Sequence, residues 1–155
     1  NGGSEKLVLV GAENKTYADL VRHEIHRHCL SDHIFLAGNM PHSELPAAYQ
    51  NAKILIFASF TENCPNILLE MMASGRPSIV SNWGPMPEFG GDAVCYFDPS
   101  KLGDLSKNLS KIMLDKDLQD QLSTRSISQS TQYTWTSSGK ATWKSMLNLI
   151  DLHLN

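Results

Sequence analysis

The chain has 155 residues, a formal net charge of -3, 41% hydrophobic side chains and 19% charged ones. That length allows one domain with a real core, and Lys and Arg do not cluster, which disfavours a nucleic-acid partner. No apolar run approaches bilayer length and no signal peptide is visible, although a start at Asn1 leaves a removed leader open.

In chain order, the first apolar run is 7–10, followed by a helical pattern over 15–29 that sets Ala18, Val21, Ile25 and Cys29 on one side. A second run at 34–36 leads to a helix over 43–51, with Ser43 as its N-cap. The run 54–58 precedes a helix over 66–74, and runs at 78–81 and 93–97 follow. Helical patterns then cover 101–114, striped by Leu102, Leu105, Leu109 and Ile112, as well as 116–130 and 136–153. In the last of these Trp143, Met146, Leu147, Ile150 and Leu154 recur at helical spacing, with Leu149 and Leu152 off the stripe. So broad an apolar set fits a helix that packs on more than its own domain. Continuous apolar runs divided by helices predict an α/β fold, a parallel sheet covered on both faces. There is no internal repeat; a polar Ser/Thr/Gln stretch occupies 123–138.

The segment most informative about function follows the third run. Glu62 and Glu70 are separated by seven residues in ENCPNILLE. A strand end that turns tightly into a helix start is where α/β proteins bind phosphates and sugars. Glu70 falls about one turn inside the helix, facing back over its opening, and Glu62 sits in the turn. One carboxylate can thus reach each end of an elongated ligand. The amides of Asn63, Cys64, Asn66 and Ile67 lie between them at the helix start. Gly11 and Ala12, and Asn39, Met40 and Pro41, end two strands on the same sheet edge.

With these parts in order, the chain resembles the C-terminal, donor-binding half of a family 4 glycosyltransferase (glycosyl transferases group 1) of the GT-B architecture. The matching pieces are Glu62, Glu70, Met71-Met72-Ala73, Gly75 and Pro77, with LVLVG at 7–11, IFLAGNMP at 34–41, ELPAAYQNAKILIFAS at 44–59, GDAVCYFDP at 91–99 and Tyr133-Thr134-Trp135. Pro65 stands where the family usually has a glycine, and Asn63-Cys64 replace a Gly-aromatic pair. Proline has no N–H to donate, and in a helix's first turn that donor would be unpaired anyway.

The resemblance implies a Rossmann-like domain over 1–155 that binds a nucleotide sugar and lacks its first strand and helix at the N-terminus. The absent strand would lie between those at 7–10 and 54–58, leaving two unpaired edges prone to self-association. The helix at about 136–153 would pack on the absent N-terminal domain. The implied activity is retaining transfer of a sugar from a nucleoside diphosphate, UDP- or GDP-linked, to a glycan or lipid-linked acceptor held by that domain. No metal or other cofactor is implied; the donor diphosphate itself assists the attack. The implied catalytic residue is Glu62, bonding donor-sugar hydroxyls, and Glu70 would take the ribose hydroxyls. A carboxylate suits a vicinal diol because it accepts from both hydroxyls. Asn63, Cys64, Asn66, Ile67, Gly11, Asn39, Met40 and Pro41 complete the donor-binding set. The setting implied is cytoplasmic, at the membrane face or associated with it peripherally, in polysaccharide or lipopolysaccharide biosynthesis. The 155-residue chain alone would be inactive.

Each of these features also has a plainer reading. As an isolated pair, Glu62 and Glu70 would read as solvated loop and helix residues. His23, His26 and His28 fall beside Arg22 and Arg27 on a polar face and read as solvated rather than metal-binding. Cys64 reads as a small packed residue before a reactive thiol, and three cysteines without CxxC spacing fit a reducing compartment. Gly75 and Pro77 read as punctuation, and Tyr133 and Trp135 as core anchors. The segment from Gly84 to Glu88 reads as a turn near the donor sugar or domain cleft, with Trp83 at the edge of the site. The alternative function is a non-catalytic nucleotide-sugar or partner-binding α/β module. A receiver-like module would need an acidic cluster that is not apparent, and a phosphorylase would need a cofactor lysine that is not evident. An epimerase would act without an acceptor.

Overall fold

The computed structural model describes residues 5–153, with side-chain surroundings through Leu149. It divides into two compact units, Asn1–Leu45 and Pro46–Asn155.

The first unit holds β1 (Leu7–Val10), α1 (Lys15–Arg27) and β2 (Ile34–Gly38). The strands pair in parallel, Leu7 opposite Ile34 and Leu9 opposite Leu36, with an irregularity before Val10 meets Gly38. Helix α1 starts at Asn14, whose side chain accepts from the amides of Thr16 and Tyr17. Ala18 and Ile25 are its buried residues. It stops two residues before its sequence pattern does. Cys29 takes a left-handed φ of 54°, its amide donates to the His26 carbonyl, and the Leu30 amide reaches back to Ile25. Those bonds close the helix as a glycine cap would, so Cys29 is exposed instead of continuing the apolar face.

The second unit begins within α2 (Leu45–Asn51) and continues through β3 (Leu55–Phe57), α3 (Asn66–Ala73), β4 (Ser78–Ser81), α4 (Met86–Gly90), β5 (Cys95–Phe97), α5 (Asp104–Leu114), α6 (Lys116–Ser130) and α7 (Trp135–His153). Ser43 lies in a turn ahead of α2, one residue too early to cap it. The sheet order is β3-β4-β5, parallel throughout. Adjacent residues of β4 face opposite ways, and both faces are covered. Val80 joins Leu68, Met71 and Met72 of α3, Met86 of α4, and Ala93 and Val94. Ile79 joins Phe97, Ile112 of α5 and Leu122 of α6. This is the doubly covered parallel sheet that the apolar runs require. Among the described residues β1 and β3 each have one hydrogen-bonded strand neighbour.

Three further details differ from the sequence reading. The segment read as a turn from Gly84 to Glu88 contains the start of α4, a single turn whose Met86 is fully buried. Five residues containing a proline are too few to show helical periodicity. Helix α5 starts at Asp104, after Gly103 at φ 86°, so Leu102 is left fully exposed. Tyr133 does anchor, stacked on Phe89 at 5.0 Å and donating to the Glu88 carbonyl at 3.1 Å. Trp135 does not: it is 87% exposed. It is the first residue of α7, where Thr134 and Ser137 bond each other's amides across the helix start and hold the backbone without burying the ring. Trp143, Met146 and Leu147 of α7 are exposed as well; the side chains of Ile150 and Leu152, and all of Leu154, lie outside the described residues.

Candidate functional site

The carboxylates frame the connection between β3 and α3. The chain leaves β3 at Phe57, runs irregularly through Glu62, and enters α3 at Asn66. Pro65 is the N-cap, one position ahead of the first turn, and its ring is buried. That burial pins the turn to the core, and Leu68, Met71 and Met72 then point inward from α3. Glu62 and Glu70 are half-buried, whereas Asn63, Cys64, Asn66 and Ile67 are exposed. The Asn66 amide donates to the Cys64 carbonyl at 2.8 Å, so it is already engaged. The Cys64 thiol lies 3.6 Å from the Asn66 side-chain oxygen.

Glu70 has a partner that sequence reasoning missed. The Tyr49 hydroxyl, on α2, donates to Glu70 Oε2 at 3.0 Å. Burial, and then the adjacent Glu70 carboxylate, push the Tyr49 phenol up to about 12. The tyrosine ring packs on the core cluster of α3 and β4. The only signal in the sequence is one aromatic with a polar tip in LPAAYQN, which has no motif of its own.

The loop after β4 closes the other side. The Ser81 hydroxyl donates to the Ser59 carbonyl, and the Asn82 amide donates to Phe97. Gly84, at φ 59°, comes so near that a Cβ there would lie 3.8 Å from the Glu62 amide nitrogen and 3.9 Å from the Phe60 carbonyl oxygen. Phe60 and Trp83 meet edge to face with ring centroids 5.1 Å apart, and both are exposed. The edge position read for Trp83 is therefore beside the Glu62 segment, at the carboxyl ends of two parallel strands.

Gly11, Asn39, Met40 and Pro41 belong to the first unit. The Gly11 amide donates to the Gly38 carbonyl at 2.9 Å, which brings the ends of β1 and β2 together. Gly11 and Gly38 line a hollow of about 270 Å³ with Glu13, Asn14 and Tyr17. Asn39 and Pro41 are exposed and Met40 is half-buried. The site residues thus form two groups, one on each unit.

Residues 3–129 match the family described as Glycosyl transferases group 1. The chain belongs to that family. The chain is 30% identical to the O-antigen chain mannosyltransferase B of Escherichia coli over 98 residues, 63% of the chain and 26% of the relative. It is 30% identical to the D-inositol 3-phosphate glycosyltransferase of Corynebacterium jeikeium over 112 residues, 71% of the chain and 26% of the relative. It therefore spans about a quarter of the length of these curated relatives. Among solved structures, Anabaena Alr3699/HepE in complex with UDP superposes with a TM-score of 0.82 at 15% identity, covering 95% of this chain and 42% of that one. At that identity the likeness establishes the fold, which is that of GT-B glycosyltransferases. Among the described residues no helix is long and apolar enough to cross a membrane.

Proposed function

We propose that this chain is the donor-binding domain of a longer retaining glycosyltransferase, and that it holds a nucleoside-diphosphate sugar between Glu62 and Glu70. The observation that supports this best is the placement of both carboxylates, half-buried, on one β3–α3 connection at the carboxyl ends of parallel strands. Glu62 bonds the donor-sugar hydroxyls and acts as the catalytic residue, while Glu70 accepts from the ribose diol. Losing either carboxylate removes charge-assisted bonds worth roughly 1.5–3 kcal/mol each. The amides of Asn63, Cys64 and Ile67, at the positive end of the α3 dipole, meet the diphosphate as it leaves. Asn66 contributes through its side chain, since its amide serves Cys64.

The relative named for O-antigen mannosyl transfer and the neighbour bound to UDP favour a UDP- or GDP-linked sugar and a glycan or lipid-linked acceptor. The acceptor enters from an N-terminal domain, the donor diphosphate assists the attack without a cofactor, and the work is envelope polysaccharide assembly at the cytoplasmic membrane face. The isolated 155-residue chain has no transferase activity of its own.

The test is a titration of the full-length protein carrying this chain with UDP, GDP and their sugars. Nucleotide binding that Glu70→Ala weakens by about tenfold or more, roughly 1.4 kcal/mol, is the expected result. A folded protein that binds none of them sinks the donor-site reading and leaves the non-catalytic module. Sugar transfer by the isolated chain would overturn the claim that it needs the other domain.

A further inference from the structure

A pyranose presents two kinds of surface. Its hydroxyls project around the rim, where a carboxylate can accept from them. Its faces carry weakly positive C–H bonds, which suit the negative face of an aromatic ring. A site that bonds only the hydroxyls leaves those apolar faces uncovered. An exposed aromatic fixed beside a sugar-binding carboxylate therefore has a ligand chemistry of its own.

Phe60 and Trp83 meet that description. They come from different loops, one leaving β3 and one leaving β4, and meet edge to face with centroids 5.1 Å apart and planes at 89°. Phe60 is 53% exposed and Trp83 43%. Single exposed aromatics are ordinary on a protein surface, but this pair is held in place. The buried Ser81 hydroxyl, two residues before Trp83, donates to the carbonyl of Ser59, next to Phe60. The Asn82 amide donates to the Phe97 carbonyl at 2.9 Å. On the far side a Cβ on Gly84 would already touch the Phe60 carbonyl and the Glu62 amide, and Pro85 leads into fully buried Met86. Trp83 is thus anchored on both sides, and its loop runs along the backbone of Glu62. Pre-organisation of that kind lowers the cost of binding.

We infer that Trp83, buttressed by Phe60, takes a C–H face of the donor's sugar ring while Glu62 bonds the hydroxyls of the same ring. This rests on the donor-site reading above and adds to it a surface that senses the sugar and not the nucleotide. Trp83 is the specificity-determining residue, because the indole offers the larger face. Phe60 is the positioning residue, because its edge-to-face contact sets the plane of the indole. An axial hydroxyl on the stacked face would put a polar group where the indole face gives it no partner. The pair therefore discriminates between sugars that differ at one carbon and leaves the affinity of the bare nucleotide unchanged.

The test measures, on the full-length protein, the affinities of UDP, UDP-glucose, UDP-galactose and UDP-N-acetylglucosamine, and of GDP and GDP-mannose. The proteins compared are the wild type, Trp83→Ala, Trp83→Phe, Phe60→Ala and Glu62→Ala. The readout is the ratio of nucleotide-sugar to nucleotide affinity in the series that the wild type binds. Trp83→Ala should lower that ratio by about threefold or more at unchanged nucleotide affinity, with Trp83→Phe recovering part of it and Phe60→Ala falling between. A Trp83→Ala ratio equal to that of the wild type overturns the inference even if transfer slows, because the ring then meets the acceptor or another domain. If Glu62→Ala still lowers the ratio in that case, the donor site stands. Equal weakening of nucleotide and nucleotide sugar by Trp83→Ala also overturns the inference, because that is loss of structure and not of a stacked contact. A wild type that binds neither nucleotide, or none of the sugar forms, overturns the donor-site reading and this inference with it.

Discussion

β1 and β4 are both four residues long and both pair in parallel, yet their burial is opposite. β1 reads LVLV and all four side chains are exposed, Val8 by 54%. β4 reads SIVS and all four are buried. The more apolar strand is the more exposed one. Composition therefore does not assign burial; the number of covered faces and paired edges does. β4 has a strand on each side and helices over both faces. Its serines are tolerated there because each hydroxyl has an acceptor, Ser78 on the Arg76 carbonyl and Ser81 on the Ser59 carbonyl.

Substitution can break this contrast or sharpen it. The largest effect belongs to Leu68→Ala, beneath β4 and fully buried, which should destabilise the second unit by about 2–5 kcal/mol in urea unfolding. Gly90→Ala comes next. A Cβ there would lie 2.6 Å from the Tyr96 hydroxyl and 2.8 Å from a Val94 methyl, and overpacking of that kind costs about 1–3 kcal/mol. The variant should also disturb the Tyr96 bond to the Gly91 carbonyl, readable as a shift in tyrosine absorbance.

Ser81→Ala, which removes the link between β4 and the Glu62 loop, should cost about 1–2 kcal/mol; a neutral result would mean that the loop keeps its place without the hydroxyl. Alkali probes the same unit more gently. The Tyr49 and Tyr96 phenols are both raised from 10.0 to about 12, chiefly by burial. Each favours its protonated form in the folded chain, so the stability it contributes is complete below pH 10 and drains as the pH rises through about 12. Melting midpoints across that window should fall less steeply in Tyr49→Phe. The smallest effect is Val8→Ala on β1, expected within about 0.5 kcal/mol. A loss as large as that of Leu68→Ala would mean that β1 is covered in solution.

Much of the fold was legible because its signals are local. The five apolar runs became five strands, and six helical patterns became helices, five of them with shifted ends. The errors fall where backbone bonding or burial overrode periodicity. Cys29 took a left-handed cap, Leu102 fell ahead of Gly103, Trp135 was left outside, and α4 was too short to announce itself. Within the site, the Glu62–Glu70 spacing and the helix start at Asn66 were readable, since strand, turn and helix are contiguous. Tyr49 was not, because its partner is 21 residues away.

The sequence by itself determined the parallel α/β pattern and the carboxylate pair, because each rests on spacing along a continuous stretch, and it carried the motifs by which the chain resembles its family. Only the tertiary structure decided that β4 is central, that the Asn66 amide is already engaged, and that Glu70 is held from α2. The physical reason is the range of the forces involved. Helix and strand periodicity act over a few residues, whereas burial and side-chain hydrogen bonds depend on which distant segments the core brings together.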